Sequence, residues 1–139
     1  MEYKVFDDTI VVRLQRGEEI IESLAAVCER EQITLGTICG LGAVDQACVG
    51  LYKVAEQQYY PTELSGEMEL TSLIGNVTRK DGAVYLHMHA TFADGEAKVW
   101  GGHLNSARIS ATAEIFIRKV QGYVDRKQDE QTGINLLSL

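Results

Sequence analysis

Apolar and polar positions change period several times along the chain, and those changes predict its elements. "TIVVRLQ" is β-branched and alternating, which predicts a strand. In the following "GEEIIESLAAVCERE", Ile20, Ile21, Leu24, Val27 and Cys28 fall on one stripe of a helix, with Glu18 and Glu19 in its first turn, where the helix dipole favours anions. From Thr34 to Tyr52 the chain is apolar and broken by Gly36, Gly40, Gly42 and Gly50, a pattern that predicts two strands joined through a bend. "EQQYYPTEL" predicts a loop crossing the sheet. "GEMELTSLIGNVT" and "AVYLHMHATF" alternate on either side of "RKDG", which predicts a hairpin with Asp81 and Gly82 at its tip.

A second turn at "ADGE" leads to "AKVWGGHL". After a short polar bend, "ISATAEIFIRKV" places Ile109, Ala111, Ala113, Ile115 and Ile117 on one side of a strand. The last fifteen residues are polar until "INLLSL", an end expected to fray or to dock on a neighbour. Together these segments predict an α+β fold, sandwich-like, with a largely antiparallel sheet of six or more strands and one main helix. One helix covers too little of such a sheet, so self-association is expected.

Length and composition narrow the picture. The 139 residues, 45% of them apolar, suit a single domain spanning 1–139 around one core. The acidic opening "MEYKVFDDTI" lacks the flank and apolar stretch of a secretory signal, and no segment is apolar enough to cross a bilayer, so a cytoplasmic chain without membrane contact is expected. Thirteen Lys and Arg against twenty Asp and Glu give a formal charge of −7. That field repels phosphate backbones and disfavours direct nucleic-acid binding. Arg79 and Lys80, beside the predicted turn, read as solvating charges. Cys28, Cys39 and Cys48 show no CxxC spacing and read as reduced core thiols.

The chemistry concentrates in "LHMHATFADGEAKVWGGHL", which holds all three histidines of the chain. On a strand, Leu86, Met88, Ala90 and Phe92 point one way, and Tyr85, His87, His89 and Thr91 the other. Residues two apart sit about 7 Å apart on one face, close enough for two imidazoles to converge on an ion. His103 arrives on the next strand. An odd-membered turn would set it opposite His87 or one pair away, an even-membered one would face it to the core, and Gly101 and Gly102 leave room for a correcting bulge. Three neutral imidazoles suit zinc and leave a fourth position open. Glu67, Glu69 and Glu114 are the candidate carboxylates for acid-base work. Glu114 interrupts an apolar strand and is expected to pair with Arg13.

These residues also carry a resemblance. L-H-x-H, a variable turn and G-G-H-L resemble the signature of the PPC family, the plant and prokaryote conserved domain. "RLQRGEEIIESL" is similar to that family's entry strand and helix, and "GEMELTSLIGNV" to its central glycine, glutamate and S-L-x-G pattern. The resemblance implies an α/β fold around an antiparallel sheet, a homotrimer, and a metal ion, zinc foremost, on His87, His89 and His103. In plants the domain follows AT-hook arms that enter the minor groove, and it mediates contacts with transcription factors; this sequence shows no such arm. Two functions follow as expectations. One is a stand-alone assembly and interaction module linked to transcriptional regulation, with protein partners. The other is a small zinc enzyme whose metal-bound water attacks a small substrate, with Glu67 or Glu114 as acid or base.

Overall fold

The computed structural model describes residues 1–139. In chain order the elements are β1 (Glu2–Phe6), β2 (Thr9–Gln15), α1 (Ile20–Arg30), β3 (Gly36–Lys53), a 3-10 turn (Val54–Glu56), β4 (Gln58–Lys80), β5 (Ala83–Ala93), β6 (Val99–Lys119), β7 (Asp125–Gln128) and β8 (Asn135–Ser138). The first six strands form one antiparallel sheet in the order β1-β2-β6-β3-β4-β5, and β7 and β8 make a separate hairpin. The fold is α+β, as the alternation predicts.

The length of β6 shapes the molecule. Its second half, Thr112–Arg118, pairs with β2, and its first five residues, Val99–His103, pair with β5. With β3 along its other side, β6 therefore closes a ring of four strands, β6-β3-β4-β5-β6, while β2 and β1 extend the sheet past the point of closure. The closure protects only the end of β5, His89–Ala93; on the open stretch before it, Val84 N donates to the Glu29 carboxylate at 2.9 Å instead of to a strand.

Three sequence expectations change here. The segment Gly36–Lys53 is one strand rather than two, bent by register shifts at Gly40/Gly42 and Val44/Gln46. The expected loop "EQQYYPTEL" lies largely within β4, paired with the end of β3 from Gln58 onward. The expected bend between "GGHL" and "ISAT" is absent: β6 runs through it, and bulges against β3 take up the extra residues. Those bulges turn Ala111 outward, whereas Ile109, Ala113, Ile115 and Ile117 are buried. Alternation identifies strands well, but it does not separate a bend from a bulge, since both interrupt the period by one residue.

The helix behaves as its stripe requires. Ile20, Leu24, Val27 and Cys28 are buried, and α1 packs against β5 and β6. Glu19 caps it: its carboxylate accepts from Glu22 N at 2.7 Å and from Ala107 N at 2.8 Å, tying the helix start to β6. The other end is tied through Arg79, which is buried rather than solvating. Its Nη1 pairs with Glu29 at 2.9 Å, and Nε and Nη2 donate to the Ile33 carbonyl. The β4–β5 hairpin turns on two residues with positive φ, Asp81 (+53°) and Gly82 (+83°), as the Asp-Gly pair predicts.

The cysteines divide. Cys28 and Cys48 are buried, and burial pushes the Cys28 thiol up to about 12. Cys39 lies exposed on the outer face of the sheet, so the core-thiol expectation fails for it. Arg13 and Glu114 are register partners on β2 and β6, yet the arginine pairs at 2.9 Å with Glu2, its register partner on β1; all three side chains are exposed, so neither carboxylate has a burial cost that would fix the choice.

Candidate metal centre

The site begins with the two faces of β5. Met88, Ala90 and Phe92 are buried in the core, which sends His87 and His89 to the opposite face. The turn from Asp94 to Lys98 then fixes the register. Asp94 Oδ1 accepts from Glu96 N at 2.9 Å and from Lys98 N at 3.0 Å, and Ala97 takes a positive φ of 60°. Ala93 pairs with Val99 across it, and counting back places His103 directly opposite His89. The odd-membered turn thus sets His103 one pair away from His87.

The glycines before His103 do a different task from the one expected. β5 and β6 pair without a register shift, so no bulge forms between them. A methyl group on Gly101 would stand 2.6 Å from the Ala90 carbonyl, and one on Gly102 would stand 2.8 Å from the Gly50 carbonyl. The two glycines let three backbones close tightly around His103.

As a result the imidazoles meet. Their ring centroids are 5.1 Å (His87–His103), 5.3 Å (His87–His89) and 5.6 Å (His89–His103) apart. One ligand nitrogen from each lies within 4.8 Å of the others. Nitrogens on a tetrahedral zinc, at about 2.0–2.1 Å from the ion, would be about 3.4 Å apart. Small side-chain rotations bridge that difference, so the donor set fits such an ion. His87 and His103 are half-buried and His89 is exposed. Burial, followed by the charges of His103, Arg126 and His89, pushes His87 down to about 4; burial, then His89, lowers His103. Both rings are therefore neutral and available as ligands at physiological pH.

A cleft of about 490 Å³ opens over the three rings, walled by Leu51, Tyr52, Tyr59, Tyr85, Arg126 and Ile134. Tyr59 stands edge-on to His103, with ring centroids 6.0 Å apart. No carboxylate lines this cleft. Glu67, Glu69 and Glu114 are all exposed, and the structure does not bring them to the histidines.

The sequence reading missed the cleft's far wall. Residues Asp125–Ser138, expected as a polar stretch with an apolar end that frays or docks on a neighbour, fold into the β7–β8 hairpin, which delivers Arg126, Ile134 and Asn135. A signal was available in "DEQTG": Asp129 Oδ2 accepts from both Thr132 N and its Oγ1, and Gly133 has a positive φ of 77°. What "DRKQ" could not reveal is that Arg126 is buried, which only tertiary packing decides.

Fold and site together define a class: a partly closed antiparallel barrel with three histidines converging on its outer face. The model of the Plants and Prokaryotes Conserved domain (abbreviated PCC or PPC) matches residues 1–121, and the chain belongs to that family. A metal-containing protein from Archaeoglobus fulgidus is 33% identical, with a TM-score of 0.89 over 99% of this chain and 97% of that one. A Bacteroides thetaiotaomicron protein proposed to bind DNA is 26% identical, with a TM-score of 0.96 over 99% and 96%. The expectation against direct nucleic-acid contact finds no support in that likeness. Among curated proteins, the bifunctional protein GlmU of Synechococcus sp. (strain JA-3-3Ab) is 29% identical over 125 residues, 88% of this chain. The chain spans only 19% of that relative's length. No helix is long and apolar enough to cross a membrane.

Proposed function

We propose that this chain is a metal-binding PPC-type domain that carries a zinc-class ion on His87, His89 and His103 and acts as an assembly and interaction module in a homotrimer, in the service of transcriptional regulation. One observation carries the metal part: the three imidazoles, the only ones in the chain, converge within 4.8 Å. The metal-containing Archaeoglobus relative supports it. When bound, such an ion would supply a Lewis-acidic centre with one coordination position free.

The module reading draws on the outer face of the sheet. Register aligns Ile74 on β4 with Cys39 on β3, Cys39 with Phe116 on β6, and Phe116 with Val11 on β2. Ile74 is 58% exposed and Phe116 46%. An apolar row crossing four strands is a surface that self-association would cover. His89 stands opposite Ile74 at one end of it, which puts the three-histidine site beside the predicted subunit contact. The regulatory part leans on the Bacteroides relative proposed to bind DNA.

A second reading, a small zinc enzyme, draws on the cleft above the rings. It lacks a carboxylate to act as base, so Glu67 and Glu114 are weaker candidates for that role than their sequence positions suggest. Metal analysis of purified protein, paired with His87→Ala and a mass measurement in solution, tests the proposal. The expected result is one ion per chain, lost on substitution, with the trimer intact. A metal-free wild type, or a monomer, would contradict it.

A further inference from the structure

Arg126 dominates the wall of the cleft that faces the histidines. It is only 8% exposed, and every group it touches is neutral. Nε donates to Thr78 Oγ1 at 2.8 Å, Nη1 to the Asn135 carbonyl at 2.9 Å and Nη2 to Asn76 Oδ1 at 2.8 Å. The guanidinium lies 4.5 Å from the centroid of the Tyr85 ring. Arg79, also buried, offers a contrast, since it holds the Glu29 carboxylate. Asp125, next to Arg126 in the chain, accepts from the Arg126 backbone N–H instead. Arg126 is thus a buried positive charge without an anion, an arrangement that costs free energy unless something else supplies the negative charge.

The donors left over suggest what that is. A guanidinium has five N–H groups in a planar fork. Three point at the protein, which leaves one on each terminal nitrogen. Across the same cleft lie three imidazoles suited to a divalent cation, so loading the site would set two positive centres facing one another. An anion between them would relieve both charges.

We propose that the cleft binds a small organic carboxylate, held at its charged end by the two free N–H groups of Arg126 and presented to the open side of the three-histidine site. The contact with the histidine side rests on the metal reading given above; the contact with Arg126 does not. A two-oxygen planar group matches the remaining donors of a planar fork. On the zinc-free chain, where Arg126 is the one cation lining the cleft, phosphate would bring up to two negative charges and more acceptor oxygens than that fork can meet. The carbon skeleton would meet Leu51, Ile134 and the tyrosine rings, and the volume of about 490 Å³ admits a small ligand only. The hairpin that contributes Arg126 lies beyond residues 1–121, the part matched by the family model.

The test uses calorimetry on the full chain, zinc-free and zinc-loaded, with benzoate, its neutral isostere benzamide, and inorganic phosphate as probes. On the zinc-free wild type, benzoate is expected to bind at least about tenfold more tightly than benzamide, and more tightly than phosphate, and these comparisons are judged there. Arg126→Gln should weaken benzoate by at least about tenfold while zinc per chain stays unchanged. Equal binding of benzoate and benzamide, preference for phosphate, or indifference of benzoate to Arg126→Gln would overturn the proposal. Should Arg126→Gln fail to fold, the comparison of the two isosteres on wild type decides alone. The two readings separate cleanly. Zinc uptake without benzoate binding removes the carboxylate site and leaves the metal site standing, while Arg126-dependent benzoate binding by a chain that takes up no zinc does the reverse.

Discussion

His89 and His103 face each other as direct cross-strand partners on β5 and β6, and the turn held by Asp94 puts them there. A slip of one residue would point His103 into the core and dissolve the constellation. The closeness of the strands matters as much as their register.

Gly101→Val tests that closeness. A Cβ at this position would press on the Ala90 carbonyl and the Thr91 methyl, so β6 must move away from β5 just ahead of His103. Metal affinity is expected to fall by about tenfold or more, since misplacing a ligand by an ångström is costly, while circular dichroism still reports a folded sheet. Unchanged affinity in a titration with zinc would show that the glycines do not position the third ring.

The metal-free protein should lose stability in acid through His87. Its folded value, about 4, lies below the ordinary value of 6.5, so between these limits the unfolded chain binds the extra proton. Stability is therefore complete above about pH 6.5, falls as pH drops toward 4, and levels off below it as far as this group is concerned. Urea titrations of wild type and His87→Gln across that range check the sign. The wild type should show the steeper decline, and parallel curves would contradict the assignment.

Phe116→Asp should break the assembly without unfolding the subunit. The side chain is half-exposed on the apolar row, so a charge there costs the isolated chain little but is expensive once a second subunit covers it. Sedimentation is expected to show monomers, with near-native thermal unfolding at matched concentration. Cys39, the neighbour of Phe116 across β3, supplies a second readout: thiol labelling should be slow in the assembly and fast in the variant. Labelling that is equally fast in both would place the subunit contact elsewhere.

Leu24→Ala tests the packing of the helix. The side chain is fully buried on the stripe facing β5 and β6, and its loss is expected to cost about 2–5 kcal/mol in denaturant unfolding. A loss under about 1 kcal/mol would mean that the helix contributes little to the core.

Much of this was legible in the chain itself, and the exceptions share a cause. Met88, Ala90 and Phe92 announce their buried face by period, so the outward direction of His87 and His89 follows from sequence alone. The Asp81-Gly82 turn and the helix stripe were equally plain. The Arg13–Glu114 pair failed because register brings backbones together without deciding which carboxylate a long, solvated side chain chooses; Glu2 competes for it. Arg79 reads as solvating and nothing singles out Arg126, because a charged residue gives no sequence sign of burial. Each is inside because neighbours distant in sequence, Ile33 and Glu29 for one and Thr78 and Asn76 for the other, supply acceptors in place of water.

The central claim is that three imidazoles share one ion. X-ray absorption at the zinc edge of the loaded protein tests it most directly. The account predicts a first shell at about 2.0–2.1 Å with the multiple scattering of three imidazoles, and one fewer in His103→Ala. A sulfur shell at about 2.3 Å, or a spectrum unchanged by that substitution, would contradict it.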